Sequence, residues 1–494
     1  MSILKRQQLP AAISHLAADI VSHWPTAEVF LVGGAVRDLL LDRSTHDFDL
    51  VVRNVPARSL QRYLAKHGRV DLVGKSFGVF KFTPRSPRDA GTFDIALPRT
   101  EHVLTGSGGY KDFAIQSDHT LPIADDLSRR DFTINAIAWR LADNTLIDPF
   151  DGQRDLAARR IRTVGSPKAR FTEDSSRLLR AIRFACQLGF TIEPATRRAL
   201  ILLAKRVNAK QGEDYIVPRE TIAKELLKSL QAAPRQTLEL YFQTGLLKQL
   251  LPELLATRGC QQPRKFHTEG DVWKHTLLCF DIATSAAFRR RYGVPTTTLL
   301  VAILLHDIGK PPTQLTPKRD GTDRIRFSGH DVAGAQLAAN ICQRLKLSAY
   351  KDDAIDCDCD AAVWLVRHHM IISSQTVAYM RATTLEKYFF SANPGELLRQ
   401  LAWVDINATI APNGKPNLTD WLAMERRLTK LSTGKQTLPK PLLNGSEIMK
   451  LCHLPGGPAI GQLLLSLREA QLTGAVKTKV AAKKFITASH LPTV

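Results

Sequence analysis

Long apolar runs are missing from this sequence. No stretch approaches the ~18 residues needed to span a bilayer, and the opening MSILKRQQLPAAIS lacks the apolar segment of a secretory signal. Cysteine is scarce, 7 in 494 residues, odd in number and scattered. That argues against a disulfide framework and leads us to expect reduced thiols in a cytoplasmic protein. Cys357-Asp358-Cys359 has no second close pair to complete a zinc knuckle, so it reads as structural. Internal repeats and low-complexity segments are also lacking. Acid is in deficit: 47 Asp+Glu stand against 68 Lys+Arg, a net charge of +21 that favours a polyanionic partner such as nucleic acid. The length allows roughly three domains.

What the sequence does contain centres on the segment VFLVGGAVRDLLLDRSTHDFDL, residues 29–50. An apolar run over 29–32 predicts a strand, and Ala35 to Leu41 suits a helix. Gly33 and Gly34 then stand at a strand-to-helix turn, where backbone N–H groups can approach a phosphate chain and the helix N-terminus favours negative charge. Two glycines alone would be no more than a tight turn. They gain meaning from Asp47-Phe48-Asp49, because residues two apart on a strand project to one face and adjacent carboxylates need a cation such as Mg²⁺. Downstream, a polar helix is predicted over 56–67 and strands over 70–73, 79–82 and 92–97. Asp94, on the last of these, would stand as a base for a hydroxyl nucleophile if the strands pair side by side. From about 156 the pattern is almost wholly helical.

GG(x)nDxD with this spacing resembles the nucleotidyltransferase superfamily of template-independent polymerases, and the surroundings resemble its class II branch, the CCA-adding tRNA nucleotidyltransferases and bacterial poly(A) polymerases. Arg129-Arg130-Asp131-Phe132-Thr133-Ile134-Asn135-Ala136 matches the family's RRDxxxNA motif. The stretch from Glu173-Asp174 through Arg177, Arg180 and Arg183 to Phe184 matches EDxxR(x)nRxxRF. The resemblance implies that Asp47 and Asp49 hold Mg²⁺ and that Asp94 is the third catalytic carboxylate. It also implies that Gly33, Gly34, Arg37, Arg129, Arg130, Asp131, Asn135, Asp174, Arg177, Arg180 and Arg183 bind the nucleotide. Arg129 and Arg130 would grip triphosphate oxygens and Asp131 would accept from a ribose hydroxyl. Asp174 and Arg177, three apart on one helical face behind a Thr172 cap, would pair with the incoming base. Read alone, they are a local ion pair. The glycine-rich segment 105–110 resembles the mobile loop of the full CCA-adding enzymes. The segment Leu72 to Phe80 looks more like the CCA-adding form than the arginine-rich segment of poly(A) polymerases.

A second set resembles an HD domain, the metal-dependent phosphohydrolase fold. His275, His306-Asp307 and Asp405 stand at the family's metal-ligand positions, with His330 and His369 as further members and His368 competing with His369. A transition metal such as Ni²⁺ or Mn²⁺ would suit that donor set.

Taken together, the resemblance implies an α+β chain. A nucleotidyltransferase palm with a small mixed sheet is expected over 1–155, followed by an all-α body: a base-selecting and RNA-binding region over 156–260, an HD domain over 261–411 and a C-terminal helical region over 412–494. The expected activity is addition of C, C and A to the 3′ end of tRNA from CTP and ATP, without a membrane partner. Alternatives are a poly(A) polymerase, a CC- or A-adding specialist, an HD phosphohydrolase as main activity, and a tRNA chaperone that would leave the acids idle.

Overall fold

A computed structural model describes residues 4, 9–73, 79–85, 91–103, 113–372, 380–390, 394–432 and 438–490. The chain divides into two compact units, Met1–Leu250 and Leu251–Val494.

The first unit is built on a sheet. Its strands are β1 Glu28–Val32, β2 Asp49–Arg53, β3 Gly68–Val73, β4 Val79–Pro84 and β5 Phe93–Ala96, then a separate hairpin β6 Arg99–Val103 with β7 Phe113–Ser117, then β8 Ala138–Arg140 and β9 Thr145–Ile147. The main sheet has seven strands in the order β3-β4-β5-β2-β1-β8-β9. It is mixed: β2 and β5 run parallel, and the other neighbours are antiparallel. β1 lies inside the sheet, between β2 and β8, and its continuous apolar run follows from burial on both faces. Phe30, Val32 and Val51 pack with Ile123, Leu127, Ala136 and Ala138 on one side. The outlying β4 instead alternates, with Phe80 and Phe82 inward and Lys81 outward.

The predicted strands and helices of this unit match the observed ones to within two residues, including the polar helix Ala57–His67. The expected all-helical stretch beyond 156 is interrupted by pairs of two residues, such as Arg160–Ile161 beside Thr191–Ile192. Such stubs tie loop ends together and are too short to show a period. Thr172 does not cap the following helix as expected. It lies in the last turn of the helix Pro167–Glu173, Asp174 is extended with φ −136° and ψ 105°, and a new helix runs over Arg177–Leu188 behind Ser176.

Among its described residues the second unit is helical, apart from a two-residue ladder of Lys351–Asp352 with Ile355–Asp356 and isolated bridges such as Leu315 with Arg326. Its helix Thr297–Leu305 buries all 9 residues, so it runs through the interior and delivers His306 and Asp307 to the protein's inside. Towards the C-terminus, Leu443, Ile448, Ile460, Leu467, Ala482 and Ile486 form an apolar cluster of their own. Segment 74–78, part of the stretch compared with poly(A) polymerases, and the glycine-rich loop 105–110 lie outside the described residues.

Candidate active site and a second candidate metal centre

In the first unit a cleft of about 600 Å³ is lined by Gly33, Gly34, Arg37, Asp47, Asp49, Asp94, Arg129, Arg130, Asp131, Asn135, Asp174, Arg177, Arg180 and Arg183. All the nucleotide-site residues expected from the sequence therefore share one cavity. Arg99, Ser176 and Phe184 line it too and were not anticipated.

Sheet register brings the acids together. Asp49 opens β2 and stands opposite Asp94 on the parallel neighbour β5. Asp47 precedes the strand in extended chain, with buried Phe48 turned the other way, so the two-residue alternation survives just outside the ladder. The neighbouring acids act on Asp49. Burial first, then Asp47, with a smaller push from Asp94, raises the Asp49 carboxyl to about 6, against the pull of Arg130 and Arg99. A cluster of oxygen donors that resists its own charge fits a hard divalent cation.

Gly33 is required by its surroundings. Its φ of +73° is unfavourable for side-chain-bearing residues, and an added Cβ would sit 2.7 Å from Arg130 Nη1. The turn thus lets a guanidinium approach the backbone beside Asp49. Gly34 begins the helix Gly34–Leu40, which carries Arg37.

The arginines are held by buried acids. Asp126, fully buried, accepts from Arg129 Nη2 at 2.7 Å and from Arg130 Nη2 at 3.2 Å. Burial alone would lift its carboxyl, but Arg130 and Arg129 keep it below the ordinary range. Asp131 is equally committed. Arg180 donates to Oδ2 through Nε at 2.8 Å and through Nη2, while Asn135 and the Phe132 N–H donate to Oδ1. Despite burial, Arg180 and Asn135 hold the Asp131 carboxyl far below its usual value. Both oxygens of Asp131 are thus engaged by protein donors. Asn135 Oδ1 in turn accepts from Arg37 Nη1 at 2.7 Å. Phe184 packs under these groups, with the guanidinium carbons of Arg37, Arg180 and Arg183 at 5.2, 5.4 and 4.1 Å from its ring centre. Arg183 donates to Glu225 at 2.6 Å, which turns its fork away from solvent.

Asp174 and Arg177 do meet, but not on one helical face. Asp174 Oδ1 accepts from the Ser176 N–H at 2.8 Å, and Oδ2 lies 3.8 Å from Arg177 Nε. Arg177 donates to Glu173 at 3.1 Å and to the Arg129 carbonyl at 3.2 Å, so it stands braced between the two motifs.

In the second unit, His275, His306, Asp307, His330, His369 and Asp405 converge. His275 Nε2 lies 3.0 Å from Asp405 Oδ1 and 3.9 Å from Asp307 Oδ2, and His306 Nε2 lies 3.3 Å from Asp307 Oδ2. His330 and His369 each stand 3.7 Å from Asp307 Oδ1. His306, His330 and His369 each give the Nδ1 proton to a backbone carbonyl, of Ile303, Phe327 and Val366. Their Nε2 atoms are then acceptors. Those of His330 and His369 face each other at 3.2 Å, an arrangement that needs a proton or a cation between them. His306 Nε2 and Asp307 Oδ2 are buried without a hydrogen bond of good geometry, although Lys310 Nζ lies 2.7 Å from Oδ2. Against its burial, Lys310 and His306 hold the Asp307 carboxyl well below its ordinary range. Glu269 accepts from His275 Nδ1 at 2.9 Å, as an outer carboxylate would to orient a metal-ligating imidazole. Glu269 was not anticipated, because it precedes the helix Val272–Thr284 in an irregular segment with no spacing signal. Imidazole nitrogens gathered around a buried carboxylate, that of His306 without a hydrogen bond, fit a divalent transition metal. His368 points elsewhere, stacking near Trp364 and Tyr388, so His369 is the member of the cluster.

Three family models match parts of the chain. The Poly A polymerase head domain matches residues 29–162, the probable RNA and SrmB-binding site of polymerase A matches residues 189–257, and the HD domain matches residues 272–394. The Multifunctional CCA protein of Nitrosococcus oceani is 38% identical over 70% of this chain and 75% of its own length. That of Alkalilimnicola ehrlichii is 36% identical over 73% and 78%. The CCA-adding enzyme of Bacillus stearothermophilus, solved in complex with CTP, superposes with a TM-score of 0.63 over 98% of each chain at 21% identity, a likeness of fold.

Proposed function

The chain belongs to the multifunctional CCA protein family and is a tRNA nucleotidyltransferase, and from that premise we propose that its N-terminal cleft adds C, C and A to tRNA 3′ ends from CTP and ATP. The observation that carries the reading is the single cleft in which three acids face a row of arginines beside a glycine turn. Asp47 and Asp49 would hold two Mg²⁺ ions, whose chemistry is to ease deprotonation of the 3′-hydroxyl and offset charge on the triphosphate. Asp94 orients the attacking hydroxyl on the neighbouring strand. The 3′-oxygen bonds to the α-phosphorus while the bond to pyrophosphate breaks. Arg129 and Arg130, steadied by Asp126, neutralise the departing pyrophosphate with the amides of the glycine turn. Asp131 acts by holding Arg180 and Asn135 rather than by touching sugar.

Base choice falls to Asp174 and Arg177. Cytosine and adenine both offer an amino donor beside a ring-nitrogen acceptor, which suits a carboxylate and a guanidinium side by side. Uracil and guanine place a carbonyl oxygen and an N–H there, and the mismatched groups go unpaired. The helical region 156–260 would carry this template and grip tRNA by phosphate and shape, consistent with the net charge of +21. In the region 261–411, His275, His306, Asp307 and Asp405 would hold Ni²⁺ or Mn²⁺, which would supply the Lewis acid for a second, phosphohydrolase activity, and 412–494 follows as a helical tail.

The test is to incubate the protein with tRNA lacking its CCA end, with CTP and ATP separately and together, and to sequence the products. CTP alone should give CC, and both should give CCA. A homopolymeric A tail from ATP alone would mean poly(A) polymerase instead.

A further inference from the structure

Cys342 and the close pair Cys357 and Cys359 meet at one end of a helix pair in the second unit. Cys342 lies near the end of the helix His330–Leu345, Cys359 is the first residue of the helix Cys359–His368, and Cys357 sits two residues before it. The thiols of Cys342 and Cys357 both face the Cys359 sulfur, as does the hydroxyl of Ser348. Cys342 and Cys357 are buried, whereas Cys359 is partly exposed. Cys342, Cys359 and Ser348 line a cavity of about 500 Å³ with Trp364, Arg367 and His368, so a small molecule can reach the sulfurs. Asp358 caps the helix by accepting from the Ala361 N–H at 2.9 Å, which leaves Cys359 at the positive end of the helix dipole.

We propose that Cys359 is a peroxide-reactive thiol that closes a disulfide with Cys342, fastening the helix that begins at His330 to the helix that leads into His369. In the first step the Cys359 sulfur bonds to one peroxide oxygen, the O–O bond breaks, and water leaves with the thiol proton. In the second, the Cys342 sulfur attacks the Cys359 sulfur, the S–O bond breaks, and a second water departs. Two thiols and one peroxide thus give one disulfide and two waters. Hydrogen bonds from Cys342 and Cys357 draw the Cys359 thiol far below its ordinary range, which favours the nucleophilic form. Cys342 is the resolving partner because it shares the cavity and lies on the facing helix. Closing Cys357 onto Cys359 would instead bend a three-residue segment and break the Asp358 cap. The helices run antiparallel, with the thiols at one end and His330 and His369 at the other, so the bridge clamps the pair that frames the histidine cluster.

The full-length reduced protein, treated with hydrogen peroxide, blocked with N-ethylmaleimide, digested and analysed by mass spectrometry without reduction, tests this. The expected result is a crosslinked peptide pair joined through Cys342 and Cys359, formed at least roughly tenfold faster than any oxidation of buried Cys186 or Cys452. In Cys342→Ser, whose fold is checked by circular dichroism, Cys359 should be trapped as sulfenic acid by dimedone. Recovery of Cys359 as free thiol, a bridge from Cys357 to Cys359, or a bridge that persists in Cys359→Ser would overturn the proposal.

Discussion

In the N-terminal unit Asp47, Asp49 and Asp94 line an open cleft and face arginines, whereas in the C-terminal unit Asp307 is buried among imidazole nitrogens. Both arrangements hold acids in a medium that resists their charge, but the compensation differs. The cleft neutralises its rim with permanent cations anchored by Asp126 and Asp131, leaving the carboxylate cluster for a hard ion and a polyanionic substrate. The histidine centre has lone pairs aimed inward and proton donors turned outward to backbone carbonyls, a shell preset for a metal. Substitutions should therefore separate the two sites.

The largest separation comes from His306→Ala. In the folded variant, phosphohydrolase or phosphodiesterase activity assayed with Ni²⁺ or Mn²⁺ should fall at least about a hundredfold, while CCA addition under Mg²⁺ stays near normal. Joint loss of both activities would break the comparison.

Asp126→Ala comes next. Removing a buried carboxylate shared by two arginines should destabilise the N-terminal unit by roughly 3 kcal/mol in urea unfolding and raise the apparent KM for nucleotide. If Arg129 and Arg130 were merely a solvated basic turn, neither would change.

Asp174→Asn probes selection within the cleft. Each lost base contact, at about 1 to 3 kcal/mol, should cost roughly fivefold to 150-fold in discrimination, with weaker use of CTP and ATP and measurable UTP incorporation. A surface ion pair would predict unchanged nucleotide choice, so incorporation of all four nucleotides decides.

The smallest effect is on stability against pH. Asp131 has a depressed folded pKa, so its contribution is fully present above the unfolded value of about 4 and is lost as pH falls through the folded value. Asp49 runs the other way. Its folded pKa is raised to about 6, so the folded state is favoured below about pH 4 and that advantage is lost as pH rises through 6. Asp49→Asn should consequently stabilise the metal-free protein at pH 7 by roughly 1 to 2 kcal/mol and leave it unchanged at pH 4, read from thermal melts across that range.

The two sites also differed in how far the sequence revealed them. The cleft was legible because its parts are local motifs: Gly33-Gly34, Asp47-Phe48-Asp49 and the run from Arg129 to Asn135 each announce a turn or strand, and only Asp94 needed a tertiary guess, which the β2–β5 register bears out. What stayed hidden is the support beneath them. Asp126 looks like an ordinary first-turn helix acid, and Phe184 like a core residue at the end of a motif. The break at Asp174 was missed because the acids and arginines there keep a helical spacing across two helices that meet. In the histidine centre, His330 and His369 could not be weighed from spacing, since helix packing alone brings residues 39 apart within 3.2 Å.

The central claim, that the N-terminal carboxylates perform the addition, is tested most directly by Asp49→Ala on tRNA lacking its CCA end, with CTP and ATP under Mg²⁺, beside the unaltered protein and His306→Ala. Asp49→Ala, folded and still binding tRNA, should add nothing detectable, while the other two complete CCA. Near-normal addition by Asp49→Ala would contradict it.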